Sequence, residues 1–397
     1  MKTKFGKKFA CIDIGTSKIC SSIAYIKNKE IRIVDFQNSK SEGINRGIIQ
    51  NFELFANSIA ESVEKLEKKS GESIKSAFIN IASKELNYCI RESSILLPKK
   101  PIQNKEISKL ISLINLSEFK GQKILHVIPL SYSLDKISGI KNPVGMVGTR
   151  LTMKAIIIYI PESIFRNILF AFEKSHIKIS GVVASPLAAG LGALTNEELN
   201  NGTILIDLGA SLTTVSVFFD GSLEEFKVFP FGSINITKDI SYALDIPFQD
   251  AERIKTLYGR AFRSIIDEKE FVLVPKESDN LINLKQVSKS EIIKAIEPRI
   301  NEMLEMINEY IKSFRYSNVV IAGATSSMSG LIDLAKRVFK KQVKNANINL
   351  QKYPSHIAIG LMNFVNIYDQ NNASYSDNKY LNDNIFSNFL KWVNENF

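Results

Sequence analysis

At 397 residues and 45% hydrophobic content, the chain can bury sizeable cores and divide into two or three domains. Its net charge of +10 comes from Lys and Arg scattered through every segment, with no basic patch interleaved with aromatics, so a nucleic-acid partner is not expected. No run approaches the ~20 apolar residues of a membrane span, and the Lys-rich start precedes an apolar run broken by Asp13, so no signal peptide is expected and the chain is placed in the cytoplasm.

Residues 9–18 read F-A-C-I-D-I-G-T-S-K: an apolar strand, Asp13, a turn through Gly15, Thr16 and Ser17, then a second apolar run over 19–25. The pattern predicts a β-hairpin whose tip offers backbone N–H groups and two hydroxyls with little bulk. That suits phosphate oxygens, while Asp13 suits a hydrated Mg²⁺; a D-x-G-T tip also serves as an ordinary hairpin turn. Cys11, Cys20 and Cys89 cannot all pair and show no metal-ligand spacing; Cys11 and Cys20 fall within these strand runs and read as core thiols. After a third strand run ending at Phe36, Phe52, Phe55, Ile59, Val63 and Leu66 recur at helical spacing, predicting a helix over 52–69 stopped by Gly71. Residues 76–82 alternate as a strand, and the βββαβ order predicts an α/β sheet containing parallel strands.

Residues 84–160 do not continue that sheet. A helix over 105–114, strands around 124–134 and 153–159, and the turn-rich stretch 139–148 predict an inserted subdomain. A helix over 162–175 and a strand over 177–183 then return to the first domain. Residues 203–218, T-I-L-I-D-L-G-A-S-L-T-T-V-S-V-F, repeat the strand, D-x-G, polar tip and second strand. Asp207 follows Asp13 by about half the chain, so two similar domains facing each other are expected. A strand over 223–229, the Gly232 turn and the run 236–259 follow, while the less regular 260–287 predicts strands of a smaller subdomain. A helix over 290–312 buries one stripe from Ile292 to Ile311 and carries Pro298, which is expected to kink it. Residues 318–322 deliver Gly323, Ala324 and Thr325 to a helix over 328–339, a tight turn that lets an adenosine approach the backbone. The three Gly-led turns together predict a nucleotide cleft. His126, His176 and His356 lie far apart in sequence and read as structural, and no Ser/His/Asp arrangement offers covalent catalysis.

A polar linker over 368–381 precedes residues 382–397, where Ile385, Phe386, Phe389, Leu390, Trp392, Val393 and Phe397 fall within a helical arc of about 160°. Such a helix reaches roughly 24 Å, short of the ~30 Å hydrocarbon core, so it is expected to lie in a membrane interface with Trp392 at headgroup level. Lys391 stands against Asp383 and Glu395, so apolar insertion dominates over attraction to anionic lipid. Docking on the protein's own surface is the other reading.

The two D-x-G hairpins and the Gly323 turn resemble the two phosphate loops and the adenosine loop of the actin-like ATPase superfamily. Residues 126–151, H-V-I-P-L-S-Y-S-L-D-K-I-S-G-I-K-N-P-V-G-M-V-G-T-R-L, and 183–195, V-A-S-P-L-A-A-G-L-G-A-L-T, narrow the resemblance to the FtsA family of bacterial cell-division proteins. With the chain end, it covers nearly all of the sequence. The resemblance implies an α/β, actin-like (ribonuclease-H-like) two-domain fold with a nucleotide cleft, an inserted subdomain and a C-terminal amphipathic helix. In that scheme 1–83 and 161–195 form the first domain with a closing helix over 354–367, and 84–160 is the insertion. Residues 196–230 and 312–353 form the second domain, 231–311 a small subdomain over the nucleotide, and 382–397 a membrane-targeting helix.

The resemblance further implies ATP with Mg²⁺, Asp13 and Asp207 holding the metal through its waters. Gly15, Thr16, Ser17, Lys18, Gly209, Thr213, Gly323 and Ala324 are the implied nucleotide contacts. Glu252 and Lys255 match family residues that approach ribose and base, although a plain surface helix shows such i, i+3 pairs too. The insertion is implied to contact neighbouring protomers in a filament, a lid without a partner being the alternative. The small subdomain is implied to receive the C-terminal peptide of the tubulin-like protein FtsZ, with Lys294 and Arg299 either meeting its acidic residues or simply solvated. The implied function is an ATP-binding protein that polymerises on the cytoplasmic face of the bacterial inner (plasma) membrane, tethers the FtsZ ring there at the division site, and recruits other division proteins. Another actin-fold ATPase, a small-molecule kinase or a pilus-assembly ATPase, is the alternative, but neither has a use for a membrane helix at the chain end. Two loops depart from the family: Ala210, Ser211 and Leu212 replace the usual Gly-Gly-Thr, and Ala324 and Thr325 replace glycines. Added Cβ atoms restrict φ > 0 and Leu212 removes a hydroxyl donor, so nucleotide binding with little or slow hydrolysis is expected.

Overall fold

The computed structural model describes residues 6–114, 116–262, 270–275, 284–316, 318–347 and 354–373. The chain divides into two compact units, the first holding the residues up to Ala193, the piece Gly221–Phe226 and the final helix, the second holding Leu194–Asp220 and Lys227–Asn347.

The first unit begins with β1 (Lys7–Ile14), β2 (Lys18–Lys27) and β3 (Glu30–Lys40), the minor hairpin β4 (Ile44–Asn45) and β5 (Ile48–Ile49), α1 (Phe52–Ser70) and β6 (Ser76–Ile81). Asn51 Oδ1 accepts from the Leu54 N–H at α1's start, and left-handed Gly71 ends the helix with its N–H on the Glu67 carbonyl. The insertion contributes β7 (Asn87–Leu96), α2 (Asn104–Ser112), β8 (Gln122–Leu134), β9 (Ile137–Ile140) and β10 (Arg150–Pro161), which form an antiparallel sheet in the order β7-β10-β8-β9. Strand β7 escaped the sequence reading because Arg91, Glu92, Ser93 and Ser94 interrupt its apolar pattern at an edge position.

Next come α3 (Glu162–Lys174), β11 (Lys178–Ala184) and α4 (Ser185–Ala193), and α10 (His356–Ala373) completes the unit. The main sheet runs β11-β6-β1-β2-β3, with β1 and β2 antiparallel and β6 parallel to both β1 and β11. Both faces are covered. Ser21 on β2 meets Ser62 of α1 at 2.6 Å, while Asp13, on the opposite face, meets Ser355 just ahead of α10. Double coverage explains why 9–14 and 19–24 are continuously buried rather than alternating. Helices α4 and α10 touch backbone to backbone: a Cβ on Gly192 would stand 1.9 Å from the His356 carbonyl oxygen, and one on Gly360 1.7 Å from that of Ala188.

The second unit holds α5 (Asn196–Asn200), β12 (Thr203–Leu208), β13 (Thr213–Phe219), the end of β14 (Ser222–Phe229), whose residues up to Phe226 count with the first unit, α6 (Ser233–Leu244), α7 (Phe248–Tyr258), β15 (Phe271–Pro275), β16 (Leu284–Ser288), α8 (Lys289–Ile311), β17 (Asn318–Ala322), α9 (Leu331–Phe339) and β18 (Gln342–Asn345). Its sheet, β14-β13-β12-β17-β18, repeats the first unit's β3-β2-β1-β6-β11 place for place, again with an antiparallel hairpin beside two parallel strands. Ile204, Ile206 and Ile321 from the sheet pack with Ile236, Ile240 and Ile254 and with the α8 stripe Ile292, Ile296, Ile300, Leu304 and Ile307 in one core. Helix α9 starts three positions later than the sequence suggested, because a 3₁₀ turn, Ala324–Ser327, and left-handed Gly330 (φ 80°) precede it.

Candidate functional site

In the first unit the strand β1 ends in Asp13 and Ile14, and the turn into β2 is closed by the Gly15 N–H donating to the Lys18 carbonyl at 3.0 Å. A Cβ on Gly15 would sit 2.8 Å from that same oxygen, so the turn admits only glycine there. Asp13 is 8% exposed and accepts from the Ser355 hydroxyl at 2.5 Å. Beneath the turn, the Ile14 N–H donates to Asn80 Oδ1 at 2.6 Å, and Asn80 Nδ2 donates to Ser185 Oγ at 2.9 Å. Thr16 and Lys18 are half-buried and Ser17 is exposed at the tip.

The second unit builds the same turn from different residues. The Gly209 N–H donates to the Leu212 carbonyl at 3.0 Å, and a Cβ on Gly209 would come within 2.7 Å of it. The tip is pinned to α6: the Ser233 N–H donates to the Gly209 carbonyl at 3.0 Å, and Ile234 N–H to that of Ala210 at 2.9 Å. Ala210, Ser211 and Leu212 are absent from the positive-φ residues, so the expected penalty of their Cβ atoms on left-handed backbone does not arise. Thr213 is fully buried and donates its hydroxyl to the Phe231 carbonyl at 3.0 Å.

Gly323 (φ 91°) ends β17 beside this turn. A Cβ there would stand 2.4 Å from the Leu208 oxygen and 2.9 Å from Asp207 Oδ1, so the one glycine that this loop's geometry demands is retained. Ala324 is exposed, and buried Thr325 carries a hydroxyl with no hydrogen-bond partner. Lys255 on α7 is only 8% exposed; its ammonium donates to Glu252 Oε2 at 2.7 Å, Thr237 Oγ1 at 2.8 Å and the Ser233 carbonyl at 3.2 Å. Burial lowers its pKa, opposed by the Glu252 carboxylate. The pair is therefore not the plain surface pair that i, i+3 spacing alone allows: it braces the start of α6 that grips the Gly209 tip.

The residues fit a magnesium nucleotide in kind. Each turn offers backbone N–H groups and an aspartate to phosphate and hydrated metal, and Thr325 an unused hydroxyl beside Gly323. Among the described residues no three His, Cys, Asp or Glu gather into an all-protein metal cage.

Elsewhere, Lys294 on α8 is exposed, whereas Arg299 is half-buried and forks onto Asp239 at 2.6 and 3.2 Å while also engaging Glu302. The expected membrane-facing residues, Ile385 to Phe397, lie outside the described residues. No helix among the described residues is long and apolar enough to cross a membrane. Sequence reasoning missed Ser355, Asn80 and Thr237. An amide inside the apolar strand S-A-F-I-N-I was a usable signal for Asn80, and a serine ahead of the apolar run H-I-A-I-G-L signalled a helix cap but not its carboxylate partner.

Two sheets of one strand order, each ending in a D-x-G turn, define the actin-like ATPase fold. Solved structures agree: the PilM–PilN type IV pilus biogenesis complex matches with a TM-score of 0.64 at 14% identity, covering 90% of this chain and 98% of that one. MreB5 of Spiroplasma citri bound to ADP matches with a TM-score of 0.57 at 12% identity, covering 93% and 99%. Family models match "Cell division protein FtsA" over residues 204–364 and "SHS2 domain inserted in FTSA" over 85–159. Cell division protein FtsA of Buchnera aphidicola subsp. Schizaphis graminum is 32% identical over 84% of this chain and 83% of its own, and that of subsp. Baizongia pistaciae 31% identical over 96% of each. The chain belongs to the FtsA family of cell-division proteins.

Proposed function

We propose that this chain is an ATP-binding division protein that assembles with its own copies on the cytoplasmic membrane surface, holds the FtsZ ring to it at the division site, and recruits later division proteins. The observation that carries the nucleotide part is the duplicated turn, with a glycine N–H closing each tip at 3.0 Å and an aspartate two residues earlier in each. In this reading Asp13 and Asp207 hold the metal's water shell. The tips at Gly15, Thr16, Ser17, Lys18 and Gly209 take the phosphates, Gly323 and Ala324 the adenosine, and Glu252 with Lys255 the ribose and base. The solved MreB5 bound to ADP supports a nucleotide on this fold. Turnover is slow in this reading, since Leu212 puts a buried apolar side chain where the family's usual hydroxyl would help orient water.

Family membership sets aside the kinase and pilus-assembly alternatives. FtsZ's C-terminal peptide is assigned to the small subdomain carrying Lys294 and Arg299, and the membrane to residues 382–397. Calorimetric titration of ATP with Mg²⁺ tests the core of the reading: Asp13→Ala should weaken binding by roughly tenfold or more, the effect of losing a charge-assisted contact. Unchanged affinity would remove the phosphate loops from the function.

A further inference from the structure

The group that grips Asp13 comes from the far end of the chain. Ser355 is 7% exposed, and its hydroxyl is engaged in both directions: it donates to Asp13 Oδ2 at 2.5 Å and accepts from the Ala358 N–H at 3.1 Å. The second bond, with the Ile359 N–H on the Ser355 carbonyl at 3.0 Å, makes Ser355 the cap of α10. Cys20 lies against the same serine; burial first, and then the Asp13 charge, push its thiol up to about 11, so at neutral pH it adds no charge beside the carboxylate. Mg²⁺ demands near-octahedral geometry of its shell, and a carboxylate that receives such a shell works best when an outer partner fixes its orientation.

We propose that Ser355 is a positioning residue for Asp13, orienting the carboxylate toward the Mg²⁺ of bound ATP and joining the first phosphate loop to the first turn of α10. The inference rests on the nucleotide reading above. Hydrolysis need not occur for it to hold, because the hydrogen bond acts on metal-dependent binding. It also explains why an aspartate, which caps a helix equally well, does not stand there: it would place a second negative charge against Asp13.

The test is calorimetric titration of ATP in Mg²⁺ and in EDTA, with the full chain as wild type, Ser355→Ala, Ser355→Thr, Asp13→Asn and the Asp13→Asn/Ser355→Ala double variant. Ser355→Ala should weaken binding about tenfold in Mg²⁺ and leave the affinity in EDTA unchanged, and Ser355→Thr should restore most of the loss. In the Asp13→Asn background Ser355→Ala should add nothing, because the two residues act as one unit. Hydrogen exchange gives an independent readout: Mg²⁺–ATP should slow exchange of the Ala358 amide in wild type and not in Ser355→Ala. If Ser355→Ala is too unstable to titrate, Ser355→Cys, a near-isosteric weak donor, carries the same comparison. Equal losses in Mg²⁺ and EDTA, or losses that add to those of Asp13→Asn, would mean a helix cap alone and overturn the inference. A wild-type chain with no Mg²⁺-dependent ATP binding would instead overturn the nucleotide reading, and the inference with it.

Discussion

His126 is fully buried on β8 and accepts the Ala184 N–H through Nε2 at 2.8 Å, which leaves its proton on Nδ1. Burial pushes its pKa down to about 3, against about 6.5 in an unfolded chain. The folded chain therefore takes up this proton less readily than the unfolded one. Its contribution to stability is fully present above about pH 6.5 and is lost as pH falls from there toward 3, at about 1.4 kcal/mol per unit. The thermal midpoint of wild type should drop more steeply between pH 6.5 and 4 than that of His126→Gln, whose amide oxygen accepts a hydrogen bond but does not titrate. Parallel curves would exclude His126 as the acid-sensitive group. At this scale the sequence was legible where chemistry is local: Cys11 and Cys20 are buried free thiols, as strand placement predicted. It was illegible for Ser355, whose partner Asp13 lies 342 positions away.

Elements were legible wherever burial imposes a period. Helices α1 and α8 follow their apolar stripes, and β1, β2, β12 and β13 follow apolar runs broken by D-x-G. Strand β7 was missed because an edge strand tolerates charge, and the start of α9 because a 3₁₀ turn has no apolar period. The contact between α4 and α10 was also hidden, since small residues signal nothing until their neighbour is known. It gives a sharp prediction: Gly192→Ala, whose Cβ would overlap a backbone oxygen at 1.9 Å, should cost several kcal/mol in denaturant unfolding. Gly71→Ala, with open space around it and only the left-handed φ of 70° to oppose it, should cost about 1 kcal/mol. Similar losses for the two would argue against the backbone contact. On α8, Lys294→Glu is the cleaner probe of the proposed FtsZ peptide site. Arg299→Glu would set a carboxylate against Asp239 and Glu302 and perturb the α6–α8 clamp whether or not a peptide binds. Capture of FtsZ at low salt should fall several-fold with Lys294→Glu; unchanged capture would remove Lys294 from the site.

At the scale of the whole molecule the duplication was readable, because two D-x-G hairpins half a chain apart leave the same mark, and the matching strand orders are its structural counterpart. The piece Gly221–Phe226 was not, since so short a segment can be assigned to a unit only from contacts in space. The proposed tether makes the last prediction. One amphipathic tail binds lipid marginally once the cost of ordering it is subtracted, and a filament presenting many tails binds strongly. Truncation after Asp377, or Trp392→Glu, should therefore release the chain from liposomes while ATP binding persists; continued co-sedimentation of both variants would sink the tether. The glycine contact between α4 and α10 bears on how such an anchor would be felt. At Gly192 and Gly360 the two backbones meet with no layer of soft side chains between them to absorb strain, so the first turn of α10 is held firmly beside Ser355. Under the proposed tether, tension on the chain beyond Ala373 would reach Ser355 through α10, and the Asp13 turn proposed to hold phosphate would be the place where mechanical load and nucleotide binding meet.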